Sequence, residues 1–276
     1  MKGYLNGMVE SPNGTAAQGD ARARRLQRLR RAIVEKGALH LKEAAQLLNV
    51  SEMTVRRDLA SSDATLACLD GYIVNAAVPT AVKYTLEGEI DQHTQGKQLA
   101  CRSAAASIQE GDTIFIDCGT TMQSLAECLP EGLPLSVICY SMNVALVVTR
   151  RPATQVMLIG GLYHASSQSF SSDEGLSYLR RLGINKAFIS AGGAHPTRGA
   201  TCSNFHEVAI KQAVIATAME NILVVDASKL GSLKPAFFAG LDAFSKIIVG
   251  GSASRELRKP FEHLPVDYAI DDPLKV

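Results

Sequence analysis

The chain has 276 residues, of which 46% are apolar, and a formal net charge of +1. This length exceeds one average domain, and the apolar content is enough for a core of ordinary size, so two domains are expected. No apolar run approaches the roughly 18 residues of a membrane-spanning helix, and the amino-terminal segment lacks a basic start followed by an apolar signal core. We therefore expect a cytoplasmic protein without a membrane partner.

The cysteines argue against a metal site or a disulfide framework. The six of them, at positions 68, 101, 118, 128, 139 and 202, form no C-x-x-C pair, and four lie among apolar neighbours. Buried reduced cysteines have such surroundings. We expect free thiols, no zinc or other metal site, and no cofactor.

Positive charge is concentrated at the start of the chain. Residues 1–62 hold eleven Lys and Arg against six Asp and Glu, or +5, which leaves 17 against 21, or −4, for the remainder. The net charge of the whole chain gives no sign of an anionic partner. Only the front end has the excess of cations that nucleic-acid binding requires.

The first 36 residues divide into a tail and a helix. Residues 1–20 are rich in Gly, Asn, Ser and Ala, which predicts a disordered tail. From Ala21 onward, Leu26, Leu29 and Ile33 recur at helical spacing. Lys36-Gly37 supplies a cation and a residue suited to ending this helix.

The next segment has the pattern of two short helices and a hairpin. "LHLKEAAQLLNV" is apolar on one side and ends near Asn49, which tolerates left-handed backbone geometry. Ser51 is a good N-cap for "SEMTVRRDLA", in which Val55 and Leu59 face inward. "TLACLDGYIV" has two apolar runs about Asp70-Gly71 and predicts a hairpin wing. These elements predict a winged helix-turn-helix domain over residues 21–78.

The exposed face of the third helix is the predicted DNA-binding surface. An isolated arginine pair is most often only a solvated helix face, but here helices, turn, cap, basic face and hairpin occur in order. Arg56 and Arg57 are expected to contact phosphates, and Met53 and Thr54 to contact base edges. Asp58 would be repelled by DNA, so we expect it to pair with an arginine. The predicted DNA-binding residues are Arg25, Lys42, Ser51, Met53, Thr54, Arg56 and Arg57.

From residue 97 onward, strand and helix patterns alternate. Segments such as "DTIFIDC", "LSVICY" and "NILVVDASK" predict strands, and "KQLACRSAAASI" and "MQSLAECL" predict helices. This alternation implies a mainly parallel sheet covered on both faces. We predict a Rossmann-like parallel α/β domain over residues 97–276, joined to the first domain by a linker over residues 79–96.

Polar or glycine-rich residues follow five of the predicted strands. One such turn is weak evidence, because glycine also simply ends strands, but five in one sheet favour a ligand site. In "IFIDCGTT", Gly119 permits close approach, and Thr120 and Thr121 offer hydroxyl groups. The helix predicted from Met122 would direct unpaired N–H groups at an anion. This stretch therefore predicts a phosphate-binding turn.

Other side chains at these strand ends could complete the site. Lys211 and Lys229 are the best cationic candidates, although a single lysine is more often solvated than bound to a ligand. Asp117 would repel a phosphate, so we expect it to bind a sugar hydroxyl or a backbone N–H; Asn143 and Glu207 fit the hydroxyl-binding role. The predicted effector-binding residues are Asp117, Gly119, Thr120, Thr121, Ser141, Asn143, Gly160, Gly161, Gly192, Gly193, Glu207, Lys211 and Lys229.

These motifs carry a family resemblance. "LHLKEAAQLLNVSEMTVRRDLA" with "DGYIV" resembles the DNA-binding region of the DeoR-type bacterial repressors, whose mark is a Ser-x-x-Thr-(Ile/Val)-Arg-Arg-Asp-Leu recognition helix. "IFIDCGTT", "KAFISAGG" and "NILVVDASKLG" resemble the sensor domain of the same family, which is related to ribose-phosphate isomerases and glucosamine-phosphate deaminases. The resemblance covers about residues 24–250. It implies a DNA-binding repressor with a sensor domain.

The resemblance also implies the effector. Family sensors bind phosphorylated sugars, with the Gly-Thr-Thr turn around the phosphate, and "DCGTT", "CYSMN", "GGLYHAS" and "GATC" are most similar to members that respond to deoxyribose 5-phosphate. We expect this effector to release the repressor from its operator. Many members have Ser where Cys118 stands and Thr where Met122 stands, so two possible hydroxyl donors are missing.

The alternative is a sugar-phosphate isomerase-like enzyme with an appended DNA-binding module. Its proton transfer would need a base, for which Asp117 and Glu207 are the candidate carboxylates. His164, His195 and His206 lack metal-ligand spacing and are expected in ordinary polar or capping roles. Since an enzyme does not require an intact recognition helix, a regulator without enzymatic activity is favoured. We expect a homodimer or larger even homo-oligomer on double-stranded operator DNA.

Overall fold

The computed structural model describes residues 13–36, 38–60, 65–69, 71–75, 85–90 and 93–270. The chain divides into two compact units, residues 1–77 and residues 78–276. The first twelve residues of the predicted tail, the predicted helix end at Gly37 and the turn residue Asp70 lie outside the described residues.

The described part of the first unit combines helices with a small antiparallel sheet. In chain order its elements are helix α1 (Asn13–Lys36), strand β1 (Leu39–His40), helix α2 (Leu41–Leu48), helix α3 (Glu52–Ala60), strand β2 (Leu66–Leu69) and strand β3 (Tyr72–Asn75). Strands β2 and β3 form the predicted hairpin, and β1 pairs with the other edge of β3. The predicted winged helix-turn-helix is confirmed.

One apolar core joins these elements. Leu29 of α1, Leu41 and Ala44 of α2, Val55 of α3 and Ile73 of β3 are almost completely buried in it. These are positions where the helical and strand periodicities direct apolar side chains to one face. The first unit therefore has its own core.

The turn between α2 and α3 has the geometry predicted from the sequence. Asn49 takes the left-handed conformation, with φ 54° and ψ 47°. The hydroxyl of Ser51 accepts a hydrogen bond from the backbone N–H of Thr54 at 3.2 Å, which is an N-cap contact. Both features fix the direction in which α3 leaves the turn.

Two features of this unit differ from the prediction. Helix α1 begins at Asn13, whereas the sequence predicts a tail through residue 20 and a helix start at Ala21. Once a helix is nucleated, each further residue adds a hydrogen bond, so weak helix formers can continue it. Strand β1 was not predicted, because two residues are too few to show an alternating pattern.

A bidentate ion pair fixes α3 against α1. The guanidinium of Arg25 donates to both carboxylate oxygens of Asp58, at 2.6 and 3.0 Å, and Arg22 donates to the Asp58 carbonyl at 3.1 Å. The expectation that Asp58 pairs with an arginine is confirmed. Arg25 was predicted as a DNA contact, but its fork is occupied by Asp58, so its role in this structure is to position α3.

Replacing Asp58 with Asn should lower the free energy of unfolding of the first unit by about 1–3 kcal/mol, because Arg25 loses a charged bidentate acceptor. Urea unfolding of the full chain, followed by circular dichroism, measures this change. Glu43→Gln alters an exposed residue of α2 and should shift the stability by less than about 0.5 kcal/mol. Equal stability of Asp58→Asn and the unaltered protein would contradict the positioning role.

The second unit is built from alternating helices and strands. Its helices are α4 (Leu86–Ile90), α5 (Thr94–Ala105), α6 (Thr120–Glu127), α7 (Met142–Val148), α8 (Asp173–Leu179), α9 (Val208–Thr217) and α10 (Arg255–Arg258). Its strands are β4 (Thr113–Ile116), β5 (Leu135–Cys139), β6 (Thr154–Leu158), β7 (Leu162–His164), β8 (Ser169–Ser171), β9 (Lys186–Ile189), β10 (Gly193–His195), β11 (Gly199–Cys202), β12 (Glu220–Asp226), β13 (Ala236–Ala239), β14 (Lys246–Gly250) and β15 (Val266–Ala269).

Seven parallel strands form the central sheet, in the order β15-β14-β12-β9-β4-β5-β6. From β4 the chain proceeds outward through β5 and β6, and then returns to the opposite side of β4 for β9, β12, β14 and β15. The strand order therefore reverses between β4 and β9. This confirms the Rossmann-like fold, in which ligands bind at such a reversal, beyond the carboxyl ends of the strands.

The sheet is covered by helices that the sequence predicted. Ala100 and Ala104 of α5, Leu125 of α6 and Val144 of α7 are buried in a core with Ile114 of β4. Small residues on α5 allow it to lie close to the sheet: a Cβ added at Gly250 would come within 2.6 Å of the Ala100 backbone nitrogen. The carboxyl ends of the strands are thus fixed against α5.

Several elements of this unit were not predicted. Helix α4 and the first residues of α5 lie within the predicted linker at residues 79–96. Helix α4 was missed because a five-residue helix carries no periodic signal. The antiparallel sheets β10-β11-β13 and β7-β8 are made of strands of three or four residues, too short to show alternation.

The cysteines are free thiols, as expected. Among the residues that the structure describes, no helix combines the length and the apolar character that crossing a membrane requires.

Candidate functional site

The exposed face of α3 carries most of the predicted DNA contacts. Met53 is 65% exposed. The hydroxyl of Thr54 lies 2.9 Å from the Ser51 hydroxyl, so these two side chains share a hydrogen bond at the start of the helix. The predicted contacts that are exposed are Lys42, Ser51, Met53, Arg56 and Arg57. Two guanidinium groups and an apolar tip on one face suit a helix that enters a major groove.

A pocket opens where the strand order reverses. Residues 118–121, which follow β4, form one wall, and residues 190–192, which follow β9, form the facing wall. The remaining lining residues are Glu89, Lys97, Cys202, Ser203, Asn204, Glu207, Lys229 and Lys234. The pocket therefore combines a turn with backbone donors, several hydroxyl and amide groups, and lysines.

The turn at Gly119 has the geometry of an anion cradle. Gly119 has φ 100° and ψ 172°, a conformation that side chains with a Cβ rarely adopt. Helix α6 begins at Thr120 rather than at Met122 as predicted, so Thr120 and Thr121 lie in its first turn. The N–H groups of a first turn have no acceptor within the helix and carry partial positive charge. Asn143 supports the turn from behind, donating to the Gly119 carbonyl at 3.2 Å.

Asp117 lies beneath the pocket. Its fully buried carboxylate accepts hydrogen bonds from the Tyr140 hydroxyl at 2.7 Å and from both the backbone N–H and the hydroxyl of Ser190 at 2.8 Å. The ammonium of Lys211 completes this set as an ion-pair partner and also donates to the Ser190 carbonyl at 3.1 Å. Of the two kinds of partner expected for Asp117, the structure shows the backbone N–H.

Lys211 is a fixed structural cation. Burial by itself would lower the pKa of Lys211, but the negative charges of Asp117 and Glu207 outweigh it and hold the pKa well above its usual value. Lys211 Nζ lies 3.6 Å from the Glu207 carboxylate, whose other oxygen accepts from Asn204 at 2.7 Å. Burial raises the pKa of Glu207, and Lys211 partly opposes that effect. Glu207 thus reaches the pocket with its carboxylate already hydrogen-bonded.

Lysines on other elements line the pocket. Lys97, in the first turn of α5, is almost completely buried, and its ammonium donates to the backbone carbonyl of Glu89 at 2.5 Å. Burial lowers the pKa of Lys97, an effect that nearby Asp226 partly offsets. Lys229 Nζ lies 3.4 Å from the Glu89 carboxylate. Lys234 passes over Gly192, where an added Cβ would lie 2.8 Å from its Cγ.

Only part of the predicted effector site lies in this pocket. The predicted residues that line it are Gly119, Thr120, Thr121, Gly192, Glu207 and Lys229. Those outside it are Asp117, Ser141, Asn143, Gly160, Gly161, Gly193 and Lys211. Asp117 and Lys211 neutralise each other in the interior, and Asn143 positions the Gly119 turn.

The remaining strand-end residues do not line the pocket. A Cβ added at Gly161 would lie 2.3 Å from the Ser171 carbonyl oxygen, and one at Gly193 would lie 2.4 Å from the Ser232 carbonyl oxygen. Ser141 is the N-cap residue of α7 and is fully buried. Gly160 accepts a hydrogen bond from the Ser172 hydroxyl at 3.1 Å through its carbonyl. Two of these glycines thus lie in tight backbone contacts, and none of the four positions lines the pocket.

Several lining residues were not predicted. They are Glu89, Lys97, Cys118, Ser190, Ala191, Cys202, Ser203, Asn204 and Lys234. Ser190 could have been found, because it directly follows β9 in a segment already identified as a strand end. Glu89, Lys97 and Lys234 carry no local signal, since only the fold brings their elements to the pocket.

The histidines have structural contacts. The rings of His164 and His206 stack with centroids 3.6 Å apart, and His206 Nε2 lies 3.0 Å from the Ser167 hydroxyl. Burial lowers the pKa of His206 to about 3, with a further contribution from His164, so His206 is neutral at pH 7. His195 accepts from the Thr197 backbone N–H at 3.3 Å. These are the polar and capping roles expected.

Known proteins match both units. Residues 92–251 match the family model of the DeoR C terminal sensor domain, and residues 25–65 match the DeoR-like helix-turn-helix domain. The deoxyribose operon repressor of Escherichia coli strain K12 is 36% identical over 227 residues, which cover 82% of this chain and 90% of that protein. The HTH-type transcriptional regulator IolR of Bacillus subtilis is 29% identical over 224 residues, with coverages of 81% and 89%. A structure of ribose 5-phosphate isomerase A from Methanocaldococcus jannaschii aligns with a TM-score of 0.36 at 17% identity, covering 48% of this chain and 52% of that one.

Replacing Lys211 with Met should lower the free energy of unfolding of the second unit by about 3–5 kcal/mol, because Asp117 would stay buried without its ammonium partner. Urea unfolding of the full chain measures the loss. Lys259→Met, which changes an exposed lysine, serves as the control and should cost less than about 0.5 kcal/mol. A loss at Lys211 no larger than that of the control would show that the buried pair does not stabilise the unit.

Proposed function

The chain belongs to the DeoR family of transcriptional regulators, and we propose that it is a cytoplasmic repressor of a sugar or nucleoside catabolic operon, released from its operator by deoxyribose 5-phosphate. One observation carries this proposal: a basic recognition helix and a pocket suited to an anion, at the strand-order reversal, occur in the same chain. The first provides DNA binding and the second provides its control.

The surface of α3 supports operator binding. Arg56 and Arg57 are exposed on the same face as Met53. Guanidinium groups there contact phosphates of either strand and set the orientation of the helix, while Met53 and Thr54 contact base edges. Arg25 acts through Asp58 by holding α3 at its angle to α1.

The pocket supports a phosphorylated sugar as the effector. The Gly119 turn and the first turn of α6 supply backbone donors for a phosphate, and Lys97 and Lys229 supply positive charge. Ser190, Ser203, Asn204 and Glu207 offer the hydroxyl, amide and carboxylate groups that bind sugar hydroxyls. The name of the E. coli relative, a deoxyribose operon repressor, supports deoxyribose as the sugar.

An allosteric coupling of ordinary size is sufficient for this mechanism. If the sugar phosphate binds the DNA-free state more tightly by about 1–3 kcal/mol, operator affinity falls about 5- to 150-fold on binding. We propose that the protein acts as a homodimer or a larger even homo-oligomer, because helix-turn-helix proteins pair two recognition helices with two half-sites.

Sugar-phosphate isomerisation is the second candidate function. It is favoured by one observation, the presence in the pocket of the carboxylate of Glu207, whose pKa is raised by burial. The other candidate carboxylate, Asp117, is engaged by four donors and does not line the pocket. We therefore propose that the chain is not an enzyme, which an isomerase assay with deoxyribose 5-phosphate and ribose 5-phosphate tests.

Arg56→Ala should weaken binding to every DNA sequence and reduce the slope of log K against log salt concentration by about 1, because one phosphate contact is lost. Fluorescence anisotropy with a duplex that the full-length protein selects from a random library measures both. Arg150→Ala removes an exposed arginine of the second unit and should leave affinity and slope unchanged. A slope unaltered by Arg56→Ala would argue against that contact.

Thr120→Val should raise the Kd for deoxyribose 5-phosphate about tenfold, because a hydroxyl donor to a charged phosphate is replaced by a methyl group. Isothermal titration calorimetry measures the affinity, and DNA binding without the sugar phosphate should be unchanged. Thr217→Val makes the same change at a helix residue whose hydroxyl bonds to the Ala213 carbonyl. Identical sugar-phosphate affinity in both variants would remove Thr120 from the site.

A further inference from the structure

Glu89 of α4 joins two of the pocket lysines. Its backbone carbonyl accepts from Lys97 at 2.5 Å, and its carboxylate lies 3.4 Å from the Lys229 ammonium. The exposed fractions of the Lys229 and Glu89 side chains are only 17% and 27%, and Lys97 is buried. The cationic wall of the pocket is thus already in contact with a carboxylate from the same chain.

Of the two carboxylates that line the pocket, Glu89 is the one that contacts these lysines. Glu207 also lines the pocket, but its oxygens are engaged by Asn204 and Lys211. The ammonium groups of Lys97 and Lys229 both contact Glu89, the first at its backbone carbonyl and the second at its carboxylate. An anion that enters the pocket therefore competes with the Glu89 carboxylate for the Lys229 ammonium.

We propose that the Glu89 carboxylate is a tethered anion that the phosphate group of the ligand displaces from Lys229. This inference rests on the proposed function, because it concerns how the same pocket takes up a sugar phosphate. A phosphate dianion has more charge and more acceptor oxygens than one carboxylate, so it binds the Lys229 ammonium in preference to Glu89. An unphosphorylated sugar has no charge with which to displace the Glu89 carboxylate. Glu89 therefore restricts the pocket to phosphorylated ligands.

Displacement would also remove one of the two contacts that hold the end of α4. At its start, the buried side chain of Leu86 and a hydrogen bond from the Leu86 N–H to the Ser166 carbonyl at 2.9 Å attach the helix to the second unit. Toward its end, the Glu89 contacts do so. Along the chain, α4 is the first described element after β3 of the DNA-binding unit. Binding of a charged ligand would in this way loosen α4, which lies at the beginning of the second unit.

The test compares Glu89→Gln with the unaltered full-length protein by isothermal titration calorimetry. The variant keeps the carbonyl that binds Lys97 but removes the competing charge, so the Kd for deoxyribose 5-phosphate should fall about fivefold. Inorganic phosphate, titrated separately, should show a change in the same direction. Glu174→Gln removes an exposed carboxylate of α8 and should leave both affinities unchanged. Equal or weaker binding by Glu89→Gln overturns the displacement.

Hydrogen–deuterium exchange of the unaltered protein provides a measurement without a variant. Saturating deoxyribose 5-phosphate should speed exchange in the peptide covering Leu86–Ile90 and slow it at residues 119–123, whereas unphosphorylated deoxyribose should change neither. Slower exchange at α4 would show that the ligand adds to the Glu89 contacts, which overturns the proposal.

The two proposals fail in different ways. If the unaltered protein binds deoxyribose 5-phosphate but Glu89→Gln binds it no more tightly, the displacement is wrong and the proposed effector stands. If neither protein binds deoxyribose 5-phosphate or inorganic phosphate, the effector and the displacement are both wrong.

Discussion

The buried ion pair between Asp117 and Lys211 is the interaction on which the second unit depends. Asp117 follows β4, Tyr140 follows β5, Ser190 follows β9, and Lys211 projects from α9, so one carboxylate ties three strand ends to a helix. A buried pair is costly to desolvate, and it is retained where its geometry is good and further hydrogen bonds satisfy it. Here those bonds hold the turns after β4 and β9 opposite each other. The pocket exists because these two turns are fixed.

Both units use some charged residues to build the scaffold and leave others for partners. In the first unit, Arg25 is held by Asp58, while Arg56 stands exposed on the opposite face of α3. In the second unit, Lys211 is buried in an ion pair with Asp117, while Lys229 lines the pocket. Burial separates the two kinds of cation: a buried charge needs a permanent partner, whereas a charge at a surface or pocket can exchange one partner for another.

Those features that depend on local pattern could be predicted from the sequence. The Asn49 turn, the Ser51 cap and the alternation of strands and helices are each set by neighbouring residues, and the structure confirms them. Features that depend on the fold could not. Lys211 and Lys229 are similar candidates in sequence, and only the fold brings Lys211 to the buried carboxylate of Asp117. Gly193 likewise has a strand-end pattern, but it does not line the pocket, and a Cβ added there would lie 2.4 Å from the Ser232 carbonyl oxygen. Glu89 of α4 could not be predicted as a lining residue, because α4 is too short to be recognised in the sequence and only the fold brings it to the pocket.

The central claim is that pocket occupancy and operator affinity are linked. Its most direct test is isothermal titration calorimetry of deoxyribose 5-phosphate into the full-length protein, alone and with a saturating amount of its selected DNA duplex. Because linkage is reciprocal, the account predicts that DNA weakens sugar-phosphate binding by the same factor, about 5- to 150-fold, by which the sugar phosphate weakens DNA binding. Equal sugar-phosphate affinity in the two titrations would contradict it.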